Sequence, residues 1–577
     1  MAMRRRRRAA STPAVQACTG KRAWRYNAVL MDTPDQLCNR ILRTLWRHAP
    51  VNATYLGIHD HDQQLSAFDP EALDSQAAEL GEHLAEIKAC RAAFPDLNRK
   101  QRLDLDLLEG ELGTQLRSQQ EIRSPFRNPG TYLEEITFGV YILMMREFAA
   151  PEDRARSVLA RLREVPRVLS EARRNLGNPQ EVPRLWSEMA GDLGATTLEF
   201  LSEASTWADR CAPVLGGEVG AAVRLARQEI ESFLVFLESA ILPKARGSFA
   251  TGRDLFEFLL REAHGVRDSA SELEDFGREE ILKTQRQLQE TAREASGESW
   301  ESQVEESKRD VPREEDLLTA YRAEITRARQ FVLEKGLLDI PAGERLEVVE
   351  TPVFERKTTP FAAYVPPAPF EAIQKGYFWV TPPDAALSEE DRRQHMKEHM
   401  LASIPITCVH EGYPGHHLQL SLANRAGSPV QRQVGTPVLM EGWALYCEEM
   451  MGAEGFYTDP RTRLLQLKDY LWRCSRVVID VGLHTGRLTF EEAVRILVEV
   501  AKINPVSARG EVKRYSKTPT QPLSYAVGKR EILRLRDEVR RREGERFSLK
   551  EFHRQLLQFG SIPPRRIREQ ILPAPQA

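Results

Sequence analysis

The stretch Cys408-Val-His-Glu-Gly-Tyr-Pro-Gly-His-His-Leu-Gln419 places three histidines and a carboxylate within eight residues, between apolar segments. A hydrolytic metal centre needs neutral imidazoles as ligands, a carboxylate to take a proton from bound water, and one open coordination position. His410, Glu411 and either His416 or His417 supply the first two. The spacing departs from H-E-x-x-H, in which the histidines share a helical face at i and i+4, because position i+4 is Pro414. Proline lacks the N–H that would bond the carbonyl of His410, and Gly415 loosens the backbone further. A distorted or widened turn is therefore expected inside the segment. On an undistorted helix His417, at i+7, lies on the face of His410 two turns away, whereas His416 points off it. Two residues bulged out at Tyr413-Pro414 bring His416 back to the place of a second ligand. His416 is the preferred ligand on that argument, with His417 in reserve.

A third ligand is expected from Leu439-Met-Glu-Gly-Trp-Ala-Leu-Tyr-Cys-Glu-Glu-Met450. Leu439, Trp443, Tyr446 and Met450 recur at helical spacing, so the segment reads as a packed helix that buries Glu441. Buried carboxylates are rarely left unpaired, and a metal satisfies one. Glu448, seven residues on and on the same side, is placed to orient a ligating imidazole from behind.

The two motifs together, HEGYPGHHLQ and EGWALYCEE, resemble the bacterial family known as domain of unknown function 885, whose members look like zincin metallopeptidases. More distantly they are similar to helical thermostable carboxypeptidases and oligopeptidases, in which HE is followed by GH and then by a downstream Glu. That comparison aligns Gly415-His416 with the Gly-His pair. The resemblance runs from about Met31 to about Ile571. It implies a mainly α-helical zincin-like fold with a small β-sheet beside the active-site helix.

Composition sets the broad class. The chain has 577 residues, 41% of them hydrophobic and 29% charged, enough to bury a large core. A formal net charge of −3 gives no global attraction to nucleic acid or to an anionic membrane. Seven scattered cysteines without C-x-x-C spacing fit a reducing cytoplasm better than a disulfide framework. Cys408 and Cys447, beside the expected ligands, read as small buried hydrophobes. No apolar run reaches the ~18 residues of a membrane span. The expectation is a cytoplasmic protein with no nucleic-acid or membrane partner. Residues 1–30 read as a disordered basic extension. The polar, short run after Arg4–Arg8 does not make an export signal.

Residues 31–345 read as a helical region forming part of a cleft, and residues 346–577 as the catalytic region packed with it in one unit. Pro151, Pro166, Pro183 and Pro213 mark connections or kinks. Ile58-His-Asp-His-Asp62 reads as a turn rather than a metal site. Leu346–Glu355, Phe361–Val365 and Gly376–Thr381 read as short strands. They either cap the core or offer an edge to an extended substrate. His395 and His399 lie in a strongly charged segment and read as a solvated helical face.

Arg476, Asp480 and His484 fall on one helical face. They either brace the metal site or form an internal network. Glu511–Gly528 resembles the family's Arg-Tyr, Pro-x-Gln-x-x-x-Tyr and Gly-Lys pattern, departing from it at Pro522. That resemblance brings in Arg514 and Tyr515 as substrate-binding or supporting groups. Tyr525 is the candidate donor to an oxyanion, and Arg514 a candidate partner for a substrate carboxylate. The expected function is a zinc-dependent hydrolase of peptide or related amide bonds. One Zn2+ would be held by His410, His416 and Glu441, with Glu411 as the base. Action on a non-peptide metabolite, or a scaffold with a structural metal, are the alternatives.

Overall fold

Helices in this chain start where the sequence supplies partners for their first free N–H groups. Thr33 with Gln36, Asn98 with Gln101 and Ser269 with Glu272 each form a reciprocal capping box. Three of the four prolines singled out above stand at helix starts. Pro151 and Pro213 open the helices Pro151–Asn175 and Pro213–Phe236, and Pro183 precedes Arg184–Cys211. Pro166 alone lies inside a helix.

The computed structural model describes residues 32–352, 355–356, 359, 361–425 and 427–572. The expected basic extension and the tail from Pro573 onward lie outside the described residues. So do Val353 and Phe354 of the first expected strand. The fold is mainly helical with one small sheet.

Two apolar clusters dominate the interior. In one, Tyr132, Leu162, Phe200 and Phe233 of four consecutive long helices meet Trp379 of the sheet. The larger cluster joins Leu37, Ile41 and Leu105 from early helices to Trp443, Tyr446 and Phe552 from late ones. Each such side chain contributes about 1.5–3 kcal/mol relative to exposure.

The sheet has strands β1 (Arg345–Glu350), β2 (Ala362–Val365) and β3 (Lys375–Val380), in the order β1-β3-β2. β1 runs parallel to β3 and β2 antiparallel to it. Gly376 in β3 is where the sheet meets the histidine-bearing segment. A Cβ there would lie 2.8 Å from the Tyr364 ring and 2.9 Å from His417 Nδ1. On the other side, Tyr141 meets Trp379 edge-on at 6.4 Å and helps line an open cavity of about 590 Å³ with Phe138 and Phe200.

His399 does not sit on a solvated face. The charged helix ends at Met396, and His399 is fully buried between the Tyr321 hydroxyl, at 3.0 Å, and the Thr381 carbonyl, at 3.2 Å. The charge pattern describes residues 388–394, whereas His395 is half-buried with Nε2 2.9 Å from the same Thr381 carbonyl. At the N-terminal turn, Asp62 accepts from Thr54 at 2.7 Å and pairs with His59 at 2.9 Å, just past the left-handed Gly57.

Candidate metal centre

The helix Ile404–Glu411 ends immediately after His410 and Glu411, and a second helix, His416–Ala423, begins at His416. Between them the chain does not simply unwind. Tyr413 N–H donates to the Cys408 carbonyl, Gly415 N–H to Val409, and Leu418 N–H to Gly412. These bonds span five or six residues, so the turn is wider than an α-helical one and takes up Tyr413 and Pro414. Gly415 makes the wide turn possible. A Cβ at that position would lie 2.0 Å from the His410 carbonyl oxygen.

This turn settles the two adjacent histidines into different surroundings. His416 faces His410, their rings 4.8 Å apart and nearly perpendicular. His417 points the other way and is fully buried. Its Nε2 lies 2.7 Å from Glu344 Oε2 and its Nδ1 lies 3.1 Å from the Tyr364 hydroxyl. With both ring nitrogens engaged, His417 is part of the packing between helix and sheet.

Glu441 comes from the helix Pro437–Ala453. Its Oε2 stands 3.2 Å from His416 Nε2 and 3.7 Å from His410 Nε2. The ligand atoms of His410, His416 and Glu441 all lie within 4.8 Å of one another, and no other such group occurs among the described residues. Donors placed tetrahedrally around zinc at ~2.1 Å stand ~3.4 Å apart, which matches the two nitrogen–oxygen separations. Glu441 Oε2 is buried, and no donor meets it in good hydrogen-bonding geometry although both imidazole nitrogens stand within ion-pair distance. Glu448 accepts from His410 Nδ1 at 2.7 Å, which leaves Nε2 to present its lone pair to the cluster. The three residues thus form a buried group able to coordinate a metal ion.

Electrostatics agree with that geometry. Burial opposes charge on Glu441, but His416 and His410 outweigh it and hold the carboxyl well below its usual range. Burial likewise opposes the His410 imidazolium, yet Glu441 and Glu448 push His410 up to about 10. The cluster favours positive charge at its centre, and a cation would meet the same field.

The helix Ser524–Glu543 carries Tyr525 to the cluster, its ring 6.3 Å from that of His410. Two glycines bring the helices together. A Cβ on Gly442 would lie 2.4 Å from the Gly528 backbone, and one on Gly528 would lie 1.9 Å from the Val438 carbonyl oxygen. Burial, then the nearby Glu441, pushes the Tyr525 hydroxyl up to about 12, so it stays protonated and able to donate. Glu411 follows His410 at the end of its helix and is half-buried.

The remaining expected residues lie farther back. Asp480 is fully buried and accepts the N–H groups of Thr520 and Leu523, fastening the loop that leads into Tyr525. His484 bonds the Tyr515 carbonyl at 3.0 Å, and burial pushes it down to about 4. The Tyr515 hydroxyl accepts from Arg476 at 2.7 Å and donates to Glu511 at 2.5 Å. Arg514 is tied to Glu511 at 3.0 Å and to Gln521 at 2.9 Å. These groups form one internal network behind Tyr525 and touch none of the three candidate ligands directly. Sequence reasoning missed Arg473, which lies over the Tyr525 ring at 5.3 Å. Its position three residues before Arg476 was the available signal.

Comparison with known proteins gives the setting. No curated protein matches the chain. The fold is similar to the structure of a candidate lipoprotein of unknown function from Shewanella oneidensis, with a TM-score of 0.76 and 24% identity, over 94% of this chain and 100% of that one. It is also similar to that of a candidate lipoprotein from Colwellia psychrerythraea, with a TM-score of 0.79 and 20% identity, over 93% of this chain and 98% of that one. No activity is named for either, so zincin character and peptidase action rest on the site's chemistry alone. These relatives overturn the expectation of a cytoplasmic protein with no membrane partner. Lipoproteins are held at membranes by a covalent lipid. Thus a lack of spanning helices among the described residues does not decide location. Nor do the free cysteines Cys38, Cys90, Cys211, Cys408, Cys447 and Cys474. Residues 50–571 match the family model described as bacterial protein of unknown function, DUF885, and the chain belongs to that family.

Proposed function

We propose that the chain is a metal-dependent hydrolase of peptide or related amide bonds. The observation that carries this reading is the convergence of His410, His416 and the buried Glu441 oxygen, with Glu411 and a protonated Tyr525 beside them. When bound, a divalent ion of the zinc type supplies Lewis acidity and lowers the pKa of water to about 7. His410, His416 and Glu441 would hold the ion, and Glu448, bonded to His410 Nδ1, would fix the tautomer of His410. Glu411 takes the proton of the attacking water and returns it to the leaving amine. Tyr525 donates its O–H to the carbonyl oxygen as negative charge develops there. The Gly442–Gly528 crossing and the Asp480-fastened loop hold that phenol in place.

A second reading follows from the same cluster. Three donors with a firm supporting carboxylate also suit a metal enzyme acting on a non-peptide metabolite, or a scaffold stabilised by its metal. Metal content of the purified protein, followed by turnover of peptide, amide and ester panels, separates these. The hydrolytic reading expects about one divalent ion per chain and amide cleavage that falls ~10²–10⁴-fold in Glu411→Gln with metal retained. Metal-replete protein that hydrolyses nothing, or a variant as active as the parent, sinks it.

A further inference from the structure

Behind the Tyr525 ring the chain assembles positive charge in excess of what it pairs. Arg476 is only 4% exposed, and its guanidinium lies 4.7 Å from the Tyr525 centroid and 4.4 Å from that of Trp472. Its Nε bonds Tyr515 and one terminal nitrogen bonds Glu511, but Nη1 is buried without a hydrogen-bond partner. Arg473, one turn earlier on the helix Pro460–His484, lies 5.3 Å from Tyr525 and 4.3 Å from Trp472. Its Nε and Nη1 are buried without partners too. Glu511 is the carboxylate in hydrogen-bond contact with this group, and it already serves Arg476, Arg514 and Tyr515. Buried guanidinium N–H groups left unpaired are costly, and an arrangement that keeps several of them together calls for an anion. Of the other carboxylates, Glu441, which acts on the Tyr525 hydroxyl, belongs to the metal cluster, and Asp480 is taken up by the backbone N–H groups of Thr520 and Leu523.

We infer that Arg473 and Arg476 form a seat for a carboxylate group of the substrate, one aromatic ring away from the metal cluster. The inference deepens the hydrolytic reading and rests on it for the word substrate. Guanidinium is suited to the task, since its planar donors match the two oxygens of a carboxylate. Tyr525 stands between the two functions, within 6.3 Å of His410 and 4.7 Å of Arg476. A peptide whose terminal carboxylate rests on the arginines is thereby presented to the cluster near its end. Arg514, the arginine that sequence reasoning favoured for this role, is held by Glu511 and Gln521 and acts behind the seat.

The test uses the metal-loaded full chain and three probes: an N-acetyl dipeptide with a free C-terminal carboxylate, its C-terminal amide, and the same amide bearing an aspartate side chain. Turnover is measured with the parent, and binding is measured by calorimetry with Glu411→Gln, so that affinity is read without hydrolysis. The free acid should exceed the amide by ~100-fold in kcat/KM and in affinity, the scale of a buried charge-assisted contact. Arg476→Gln should reduce that preference to within ~3-fold. Arg473→Gln, which removes no hydrogen bond to the protein, should lower it in a fold left intact and carries the test if Arg476→Gln does not fold. Equal handling of all three probes with turnover present overturns the seat and leaves the hydrolytic reading standing. Preferential binding of the acid without turnover of any probe supports the seat and removes that reading. Preference for the aspartate amide over the plain amide alone, with no gain for the free C terminus, places a side-chain carboxylate on the arginines. A preference unchanged in both arginine variants, or no binding of any probe, overturns the assignment.

Discussion

The two sides of Tyr525 are built from opposite charges, and each is incomplete in its own way. On one side three carboxylates, Glu411, Glu441 and Glu448, surround two imidazoles, with a buried oxygen lacking a well-aligned hydrogen-bond donor. On the other, two guanidiniums, Arg476 and Arg514, share Glu511, and buried N–H groups of Arg473 and Arg476 lack an acceptor. A protein interior does not tolerate either imbalance cheaply. Their placement within one ring's width of each other is most simply understood as a centre for a cation beside a place for an anion.

Breaking the first side should have the largest effect. Removing one of three protein ligands, in a site scaled to the ~10–16 kcal/mol of structural zinc sites, should weaken metal affinity roughly 10³-fold. His416→Ala is therefore expected to lose metal under dialysis that the parent withstands. His417→Ala should keep the metal and instead lower the melting temperature, because Glu344 loses a buried partner at a cost of about 1–3 kcal/mol. Equal metal loss in both variants would dissolve the distinction between the two histidines. Glu448→Gln tests the support behind the ligands, with an expected fall of ~10–100-fold in metal affinity, measured by competition with a chromophoric chelator.

A smaller effect is expected where the two sides are joined. Gly528→Ala forces a methyl group onto the Val438 carbonyl and should cost about 1–3 kcal/mol in a denaturant titration while displacing Tyr525. Turnover should fall with metal content unchanged. The smallest prediction concerns pH on the guanidinium side. His484 is held neutral by burial and pushed down from about 6.5 to about 4. As pH falls below 6.5 the unfolded chain takes up the proton first, so stability present above that value is lost progressively toward pH 4. The limit is on the order of 3 kcal/mol. His484→Gln should flatten the fall in the urea midpoint between pH 7 and 5; an unchanged slope would show that another group sets it.

The sequence made some of this legible and hid the rest for physical reasons. Pro414 and Gly415 announce a broken helix, and the consequence for His416 follows from backbone hydrogen bonding alone. Glu441 and Glu448 are legible because acids in an apolar helical stretch demand partners. The short strands are legible from their β-branched and aromatic runs. The burial of His399 was not, because a run of charged neighbours says nothing about the residue just after their helix ends. The arginine cluster was hidden for a different reason. Arg473 and Arg514 look alike in sequence, and only the position of Glu511 decides which of them has donors to spare. The expectation on location drew on cysteines and hydropathy, neither of which registers a covalent lipid of the kind for which the two structural relatives are named.

The crossing at Gly442 and Gly528 has a wider consequence. There the main chains of two long helices rest on each other with no side chain between them, so their separation behaves like a fixed bearing and not a cushioned joint. Mutation elsewhere in those helices can reshape the walls of the cleft or recolour its chemistry, while the gauge between the acid at position 441 and the phenol at position 525 stays as it is. A lineage could in this way explore new substrates without recalibrating the centre each time.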